Sequence, residues 1–458
     1  MNLGKVRHLH FVGIGGVGMC GLAELLHGEG FTVSGCDLAA SDATARLEGL
    51  GIHVAQGHAP AHLDGVHVLV VSSAVASGNA EVDAARERNI PVIRRAQMLG
   101  EISRLKWTVA VAGTHGKTTT TSLSGFILTR AGLDPTVAVG GRMHFLGAHA
   151  RLGRSEYLVC EADEFDRSFL ALHPALAVIT TIEAEHLDTY GTVEAMEDAF
   201  VEFANRVPFY GATIAGLDDP GVRRLLPRFS RRVVTYGLSP QADVHARAAR
   251  YTPAGATCRV VAHGDELGEL TVSLAGRHML ANALAATTAA LEIGVPWAEV
   301  ASAAAAFTGV ARRFERKGER DGVVLVDDYA HHPTEVAATL QAARQAFADA
   351  RIVVVFQPHL FSRTRDFARA FGEALLGADV VLVLPIYPAR ERPLPGVTHE
   401  LVVAAARASG HRRVLACESF ADAREKLEEE LHAGDVLLTL GAGDVVRLGE
   451  AWLAGGAP

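Results

Sequence analysis

The stretch Val109-Ala-Val-Ala-Gly113-Thr-His-Gly116-Lys117-Thr118-Thr-Thr-Thr121 decides the fold of the central part of this chain. An apolar run, two glycines, a lysine and several threonines predict a buried strand, a tight turn and a helix that follows at once. Backbone N–H groups at the start of such a helix bind phosphate. We therefore expect a nucleoside triphosphate to bind here, through Gly113, Thr114, His115, Gly116, Lys117, Thr118 and Thr119.

Two side chains of this loop carry its chemistry. Lys117 is expected to bind the terminal phosphates, and the Thr118 hydroxyl is expected to bind Mg²⁺. The spacing differs from the standard P-loop, because Val111 stands where the standard pattern has its first glycine.

The composition of the whole chain excludes several protein classes. A length of 458 residues predicts two or three domains, and a formal charge of −9 without a Lys/Arg block argues against a nucleic-acid partner. The five cysteines are scattered without a metal or redox spacing, so we expect buried thiols in a reducing compartment. No apolar run approaches the roughly 18 residues of a membrane span. A cytoplasmic protein without membrane insertion is expected.

Strand-like and helical segments alternate along the chain, which predicts an α/β protein with parallel sheets. Apolar strands are expected at 8–15, 31–37 and 66–75, and a second unit begins near Trp107. Short alternating segments in 231–274 predict antiparallel hairpins. A third unit is expected after the charged run 312–318, where strands recur at 322–328, 351–357, 379–386 and 435–441.

A second glycine loop lies near the N-terminus. Gly13-Ile-Gly15-Gly16-Val-Gly18 follows a predicted strand, and Asp37 ends the next one. This pattern alone is typical of an NAD-dependent oxidoreductase, which stays one alternative, although such a loop binds any diphosphate. Because the same chain also has a P-loop, two different phosphorylated ligands are the more economical interpretation.

Carboxylates follow two predicted strands of the central unit. Glu161-Ala-Asp-Glu-Phe-Asp166 holds four acids within six residues, which ionise together at low cost only when cations share the site. Glu161 is therefore expected to bind Mg²⁺. Glu183-Ala-Glu-His-Leu-Asp188 follows the next strand, and His186 could add a nitrogen ligand to a second Mg²⁺. These acids argue against a non-catalytic nucleotide-binding regulator, which is the other alternative.

The third unit has polar clusters at two strand ends. Asp327-Asp328-Tyr329-Ala-His331-His-Pro333 ends its first strand, and such a cluster requires a ligand or water. The run 357–365 ends the following strand and places Arg363 where it could bind an anionic carboxylate.

Seven spaced motifs together resemble the Mur ligases over essentially the whole chain. They are Gly113-Thr-His-Gly-Lys-Thr-Thr119, Glu161-Ala-Asp-Glu-Phe-Asp166, Glu183-Ala-Glu-His-Leu-Asp188, Gly276-Arg-His-Met-Leu-Ala-Asn282, Gly309-Val-Ala-Arg-Arg-Phe-Glu315, Asp327-Asp-Tyr-Ala-His-His-Pro-Thr-Glu335 and Gly441-Ala-Gly-Asp444. The resemblance implies a Rossmann-like UDP-substrate-binding domain (1–105), a central P-loop ATPase α/β domain with an antiparallel subsheet (106–313) and a Rossmann-like amino-acid-binding domain (314–458).

Within the family, the chain is similar to the branch that joins L-alanine to the carboxylate of UDP-N-acetylmuramate in peptidoglycan precursor synthesis. The resemblance implies an acyl-phosphate intermediate, ATP as co-substrate, Mg²⁺, and a monomer or homodimer. Asn282 falls on an adenine contact, and Arg313 and Asp328 fall on ATP contacts. The implied ligands of the other substrates are Gly15, Gly16, Gly18, Asp37, Ser72, Tyr329, His331 and Arg363. His331 is a candidate to deprotonate the amine, and Lys117, Glu161 and His186 complete the implied catalytic set.

Three residues depart from the family pattern. Met279 stands at the place of a second Asn near the adenine, and Leu360 at the place of an Arg beside the alanine pocket. Phe165 resembles the aromatic residue of the branch that joins a recovered tripeptide to UDP-N-acetylmuramate. That recycling ligase is the nearest rival.

Overall fold

The computed structural model describes residues 3–72, 74–143, 148–389 and 391–455. By its internal contacts the chain divides into two compact units. One comprises Met1–Arg247, Val260–Gly268 and Ala281–Phe307, and the other Ala248–Arg259, Glu269–Leu280 and Thr308–Pro458. The three domain boundaries expected from the sequence stay a prediction.

The first sheet is a five-stranded parallel sheet in the order β3-β2-β1-β4-β5. Its strands are β1 (His8–Val12), β2 (Thr32–Asp37), β3 (His53–Gln56), β4 (Val68–Val71) and β5 (Val92–Arg94). Its helices are α1 (Val17–Gly28), α2 (Asp42–Gly49), α3 (Ala80–Glu87) and α4 (Arg95–Leu105). The order reverses between β1 and β4, and ligands bind open α/β sheets beside such a reversal.

The second sheet has ten strands in the order β15-β14-β13-β12-β11-β10-β6-β9-β7-β8. Its strands are β6 (Trp107–Ala112), β7 (Thr136–Met143), β8 (Ala148–Arg151), β9 (Tyr157–Glu161), β10 (Leu176–Ile179), β11 (Ala212–Gly216), β12 (Val233–Gly237), β13 (Val244–Thr252), β14 (Gly255–Ala262) and β15 (Asp265–Val272). The helices of this part are α5 (Lys117–Arg130), α6 (Leu187–Tyr190), α7 (Val193–Ala204), α8 (Pro220–Leu225), α9 (Arg277–Ile293) and α10 (Trp297–Ala306).

The P-loop strand β6 lies inside this sheet, parallel to β9 on one side and β10 on the other. All its residues after Trp107 are buried, as expected for a parallel strand covered on both faces. The carboxyl ends of β6, β9 and β10 therefore meet at one edge, where the P-loop and both acidic motifs begin.

Two-residue connections join β13 to β14 and β14 to β15, as antiparallel neighbours require. In the second connection His263 and Gly264 have φ of 50° and 96°, the pair of positive values of a type I′ turn. These hairpins confirm the antiparallel part predicted for 231–274.

The third sheet has six strands in the order β16-β17-β21-β18-β19-β20. They are β16 (Glu315–Arg320), β17 (Val323–Asp328), β18 (Ile352–Phe356), β19 (Val380–Val383), β20 (Val414–Ala416) and β21 (Val436–Leu440), with helices α11 (Pro333–Ala346), α12 (Phe361–Ala374), α13 (Glu400–Ala408), α14 (Phe420–Glu430) and α15 (Val445–Leu453). Only β16 is antiparallel to its neighbour among the pairs described in this sheet.

The α/β class with three sheets confirms the predicted fold, but some strands were not predicted. One of them is the edge strand Glu315–Arg320, which overlaps the charged run 312–318 and whose charged side chains remain accessible. The short strands β3, β5 and β20 were missed because three or four residues carry too little periodicity. Among the described residues, none of the helices combines the length and apolar character of a membrane span.

Candidate active site

The P-loop turn is built on two glycines with positive φ. Gly113 has φ of 135°, and a Cβ there would lie 2.0 Å from Thr180 Oγ1. Gly116 has φ of 83°, and a Cβ there would lie 2.4 Å from Asn282 Oδ1. Neither position accepts a side chain, so the loop passes directly over its neighbours and α5 begins at Lys117.

Hydrogen bonds hold the P-loop against the end of β10. Thr114 N donates to Thr181 O, and the Thr114 and Thr181 hydroxyls lie 2.9 Å apart. His115 N donates to Thr181 Oγ1 at 2.9 Å, while Thr180 Oγ1 donates to His115 O at 2.5 Å. The loop is therefore fixed to the strand that precedes Glu183, Glu185 and His186.

Lys117 forms a buried ion pair with Glu164. Its Nζ donates to both carboxylate oxygens, at 2.8 and 2.9 Å, and to Gly113 O at 2.7 Å. Desolvation lowers the pKa of Lys117, but the charges of Glu164, Asp163 and Glu161 outweigh it and the pKa is raised. Desolvation raises the pKa of Glu164, but the charge of Lys117 and the nearby His186 hold it below its usual value. Both groups are charged at neutral pH.

The acidic motifs supply a set of metal-binding atoms. Atoms of Glu164, Glu185 and His186 lie within 4.8 Å of one another, and His186 Nε2 is 3.7 Å from Glu164 Oε1. The Phe165 ring meets His186 edge-on, with the ring centroids 5.1 Å apart. Two carboxylates and one imidazole suit Mg²⁺ or Mn²⁺.

The other two predicted metal ligands lie close by. Thr118 is buried in the first turn of α5, and Glu161 ends β9 opposite Val111 of β6. The charge of Glu161 helps to raise the pKa of Lys117, so the Glu161 carboxylate acts on the same ammonium group that Glu164 binds. Glu161 as a metal ligand stays a prediction, and the structure adds Glu164 and Glu185 to the candidates.

Asn282 lies at the P-loop, since its amide packs against Gly116. It is buried on α9, and Met279 one turn earlier is buried as well. The adenine contact implied for Asn282 stays a prediction. Because the Asn282 amide lies against Gly116, it supports the turn that precedes Lys117.

The N-terminal glycine loop lines a separate cavity of about 590 Å³. Gly15 N donates to Asp37 Oδ2 at 2.8 Å, so the acid predicted to bind substrate also fixes the loop. Predicted residues in the lining are Gly15, Gly16, Asp37 and Ser72. Gly18 lies under Arg95, whose Nη1 would be 3.1 Å from a Cβ at that glycine.

Directly after β17, the ring of Tyr329 lies close to two arginines. The guanidinium carbons of Arg312 and Arg313 are 5.1 and 5.2 Å from its ring centroid. Asp328 accepts hydrogen bonds from Phe314 N at 2.7 Å and Ala330 N at 2.8 Å. Burial raises the pKa of Asp328 to about 6, although the charge of Arg313 opposes the shift.

His331 is oriented by the first turn of α11, which it precedes. Its Nδ1 lies 3.0 Å from Glu335 Oε2 and 3.1 Å from Tyr329 O, so the proton belongs on Nδ1 and Nε2 can accept another. The His359 ring is 5.9 Å from His331 and stacks on Tyr387. Burial, His331 and Arg363 lower the pKa of His359 to about 4, which places Arg363 in the same cluster.

Leu360 precedes α12 with φ of 70°, and its N–H donates to Tyr387 O at 3.0 Å. This left-handed conformation is unusual for a residue with a branched side chain. At the start of the same helix, Ser362 donates to Glu391 through its backbone N and its hydroxyl.

Sequence reasoning missed several residues of these clusters. Arg312 donates to Asp327 at 3.0 Å and to Gly443 O at 3.0 Å, so it joins the ends of β17 and β21. Arg95, Glu335, His359 and Glu391 were also missed. The consecutive basic residues Arg94-Arg95 were a usable signal, whereas Glu391 lies in a loop without a pattern.

Comparisons with known proteins agree with this organisation. Residues 8–107 match the model described as "Mur ligase family, catalytic domain", 111–290 the "Mur ligase middle domain" and 312–443 the "Mur ligase, glutamate ligase domain". A curated protein of Geobacter sp. (strain M21) named UDP-N-acetylmuramate--L-alanine ligase is 49% identical over 452 residues, 98% of each chain.

Two solved structures are similar as well. The UDP-N-acetylmuramate-alanine ligase of Thermotoga maritima has a TM-score of 0.79 at 27% identity, covering 98% of both chains. The UDP-N-acetylmuramate:L-alanyl-gamma-D-glutamyl-meso-diaminopimelate ligase of Neisseria meningitides has a TM-score of 0.61 at 32% identity, covering 67% of this chain and all of that one. With three matching domain models and a relative 49% identical from end to end, this chain belongs to the Mur ligase family.

Proposed function

We propose that this protein is an ATP-dependent ligase that joins L-alanine to the carboxylate of UDP-N-acetylmuramate through an acyl phosphate. The observation that carries the proposal is the likeness, over 98% of both chains, to a ligase named for these two substrates. A cytoplasmic location and a monomer or homodimer stay predictions from the sequence.

The Lys117 site supports the phosphoryl-transfer step. The substrate carboxylate attacks the γ-phosphorus of ATP, ADP leaves, and an acyl phosphate forms. Two anions must approach each other, so a fixed ammonium group and the N–H groups at the start of α5 stabilise the transition state. Thr118, Glu164, Glu185 and His186 would hold Mg²⁺, with Glu161 as a further candidate. Mg²⁺ neutralises charge on the phosphates when it is bound.

The third-sheet cluster supports the second step. The amine of L-alanine must lose a proton before it attacks the acyl carbon and displaces phosphate. His331 is the proposed acceptor, because Glu335 and Tyr329 O hold its proton on Nδ1 and leave Nε2 available. Arg363, whose charge acts on His359, is the proposed partner of the alanine carboxylate.

A recycling ligase that uses a recovered tripeptide is the second candidate. Phe165 beside His186 and the 32% identity to the Neisseria meningitides structure favour it. Phosphate release from ATP decides between the two when UDP-N-acetylmuramate is supplied with L-alanine, glycine, L-serine or the tripeptide. We expect L-alanine to give the highest kcat/KM. Turnover with the tripeptide and none with L-alanine would overturn the proposal.

A further inference from the structure

A second group of metal-binding side chains lies in the first sheet, away from the P-loop motifs. His10 of β1, Cys36 of β2, His62 of a short turn and Glu81 of α3 point their ligand atoms at one another, all within 4.8 Å. His10, Cys36 and Glu81 have at most 1% of their surface exposed. The ligand atoms of four separate elements thus lie together in one small, mostly buried space.

The distances between these atoms approach those of a metal shell. Glu81 Oε2 is 3.1 Å from His10 Nε2 and 3.2 Å from Cys36 Sγ, and Glu81 Oε1 is 2.7 Å from His62 Nδ1. Tetrahedral zinc bonds of about 2.0–2.3 Å place neighbouring ligand atoms roughly 3.3–3.8 Å apart. Outward shifts of about 0.1–0.6 Å would bring these three pairs into that range, and the remaining pairs of ligand atoms lie within 4.8 Å of one another.

The surroundings orient two of the ligands. His10 Nδ1 lies 2.8 Å from Ser34 Oγ, which is itself 2.7 Å from His8 Nε2, so the other ring nitrogen of His10 is turned toward Glu81. Ala59 N donates to Glu81 Oε1 at 2.9 Å. Such outer contacts fix the ring orientation of metal-binding histidines.

We propose that His10, Cys36, His62 and Glu81 form a structural site for a divalent metal ion of the zinc class. Charge favours the ion, because one carboxylate, one thiolate and two neutral imidazoles balance a charge of +2. Without a bound metal, Glu81 is a buried carboxylate that relies on its hydrogen-bonded contacts with His10, Cys36, His62 and Ala59 N.

Binding the ion requires a defined movement of protons. The Cys36 thiol loses its proton to water as sulfur bonds the metal, so one proton is released. Each imidazole would bind as a neutral ligand, His10 through Nε2 with its proton on Nδ1 facing Ser34 Oγ, and His62 through Nδ1 with its proton on Nε2. No oxidation or reduction takes place.

The site lies under the glycine-loop cavity. Cys36 directly precedes Asp37, which fixes Gly15, and Cys36 Sγ lies 3.1 Å from Nδ1 of His58 in the cavity lining. A metal at this point would hold together the middle of β1, the end of β2 and the start of α3. It would stabilise the fold without contacting the reacting atoms.

Cobalt substitution of the full-length protein tests the proposal. The protein is stripped with a chelator and titrated with Co²⁺ in excess Mg²⁺, which competes for the oxygen-rich site at Glu164. We expect a near-ultraviolet sulfur-to-cobalt absorption band that Zn²⁺ abolishes. Cys36→Ser should lose the band, and Cys417→Ser, a buried thiol in the other unit, should keep it.

A second variant tests the site even if Cys36→Ser fails to fold. The His62 side chain is 22% exposed, so His62→Gln should fold normally while its Zn²⁺ affinity falls by at least about tenfold, as loss of a ligand predicts. The proposal is wrong if wild type shows no band, if Cys36→Ser keeps it, or if His62→Gln binds Zn²⁺ like wild type. These readouts are independent of turnover, so they separate this site from the proposed ligase activity.

Discussion

Nζ of Lys117 and the carboxylate of Glu164 form a bidentate buried ion pair, with N–O distances of 2.8 and 2.9 Å. Glu164 has no exposed side-chain surface, and its Oε1 lies 3.7 Å from His186 Nε2. The lysine expected to bind phosphate is thus held by an acid of the motif that was expected to bind Mg²⁺. One pair of residues links the phosphate site to the proposed metal site.

Lys117→Met should remove both activity and stability. We expect kcat to fall by about 10²–10³-fold or more, because a charge that stabilises phosphoryl transfer is lost. The buried Glu164 then has no cation, which costs about 3–5 kcal/mol of the free energy of unfolding. ATP turnover and urea denaturation measure the two effects.

A double variant separates these effects. Lys117→Met with Glu164→Gln should recover much of the stability while turnover stays low, since the unpaired charge is gone but the ammonium is not restored. Lys426→Met, on an accessible face of α14, is the matched control and should keep both properties. Normal turnover of Lys117→Met would contradict the P-loop assignment.

Gly116→Ala should weaken nucleotide binding by at least about tenfold. Its φ of 83° costs an alanine about 1–2 kcal/mol, and the new Cβ would lie 2.4 Å from Asn282 Oδ1. Calorimetric titration with ATP measures the loss. Gly132 has a similar φ of 77° but open space around it, so Gly132→Ala should bind ATP like wild type. Equal losses in both variants would exclude the contact with Asn282 as the cause.

Arg95→Gln should raise KM for the UDP-linked substrate by about tenfold, as expected when a charged hydrogen bond to phosphate is lost. The guanidinium lies over Gly18, at the start of a helix whose N–H groups attract phosphate. KM for ATP should change little. Arg88→Gln, which removes a surface ion pair with Asp64, is the control. An unchanged KM for the UDP-linked substrate in Arg95→Gln would exclude Arg95 from that site.

His359 should make stability depend on pH. Its pKa is lowered to about 4 in the folded chain by burial, His331 and Arg363, so the unfolded chain binds the proton more tightly. The stabilisation that neutral His359 provides is therefore present above its ordinary pKa of 6.5 and is lost as pH falls toward 4.

Urea denaturation at pH 7 and pH 5 measures this effect. Wild type should lose more stability between the two values than His359→Gln, because only the unfolded wild-type chain takes up this proton between pH 7 and pH 5. His53→Gln, on the exposed edge strand β3, should behave like wild type. If His359→Gln lost more of its free energy of unfolding than wild type between pH 7 and pH 5, the predicted direction of the pH dependence would be wrong.

The P-loop and the three sheets could be predicted because their signals are local. Lys117 and Gly116 are consecutive in the chain, and buried parallel strands are long apolar runs. The sequence could not predict whether Glu161 or Glu164 forms the ion pair with Lys117. Both carboxylates lie in one motif at the end of β9, and only the turn after that strand decides which of them meets Lys117.

The cluster around Cys36 was not predictable for a different reason. The scattered cysteines were interpreted as buried thiols without a metal spacing, and Cys36 is buried and free. Its neighbours His10, His62 and Glu81 are 19 or more residues apart from one another in the chain, so no local spacing indicates the group. The pairing of β1 with β2 brings His10 close to Cys36, and the packing of α3 against this sheet adds Glu81.

The hydrogen bonds between Thr114, His115, Thr180 and Thr181 have a thermodynamic consequence. They join the phosphate loop to the strand that carries the second acidic motif, so both arrive at the nucleotide already ordered. Ordering a loop of this size during binding would reduce affinity through lost backbone entropy. Here that entropy is lost during folding, and the binding energy of the nucleotide remains available for the transition state.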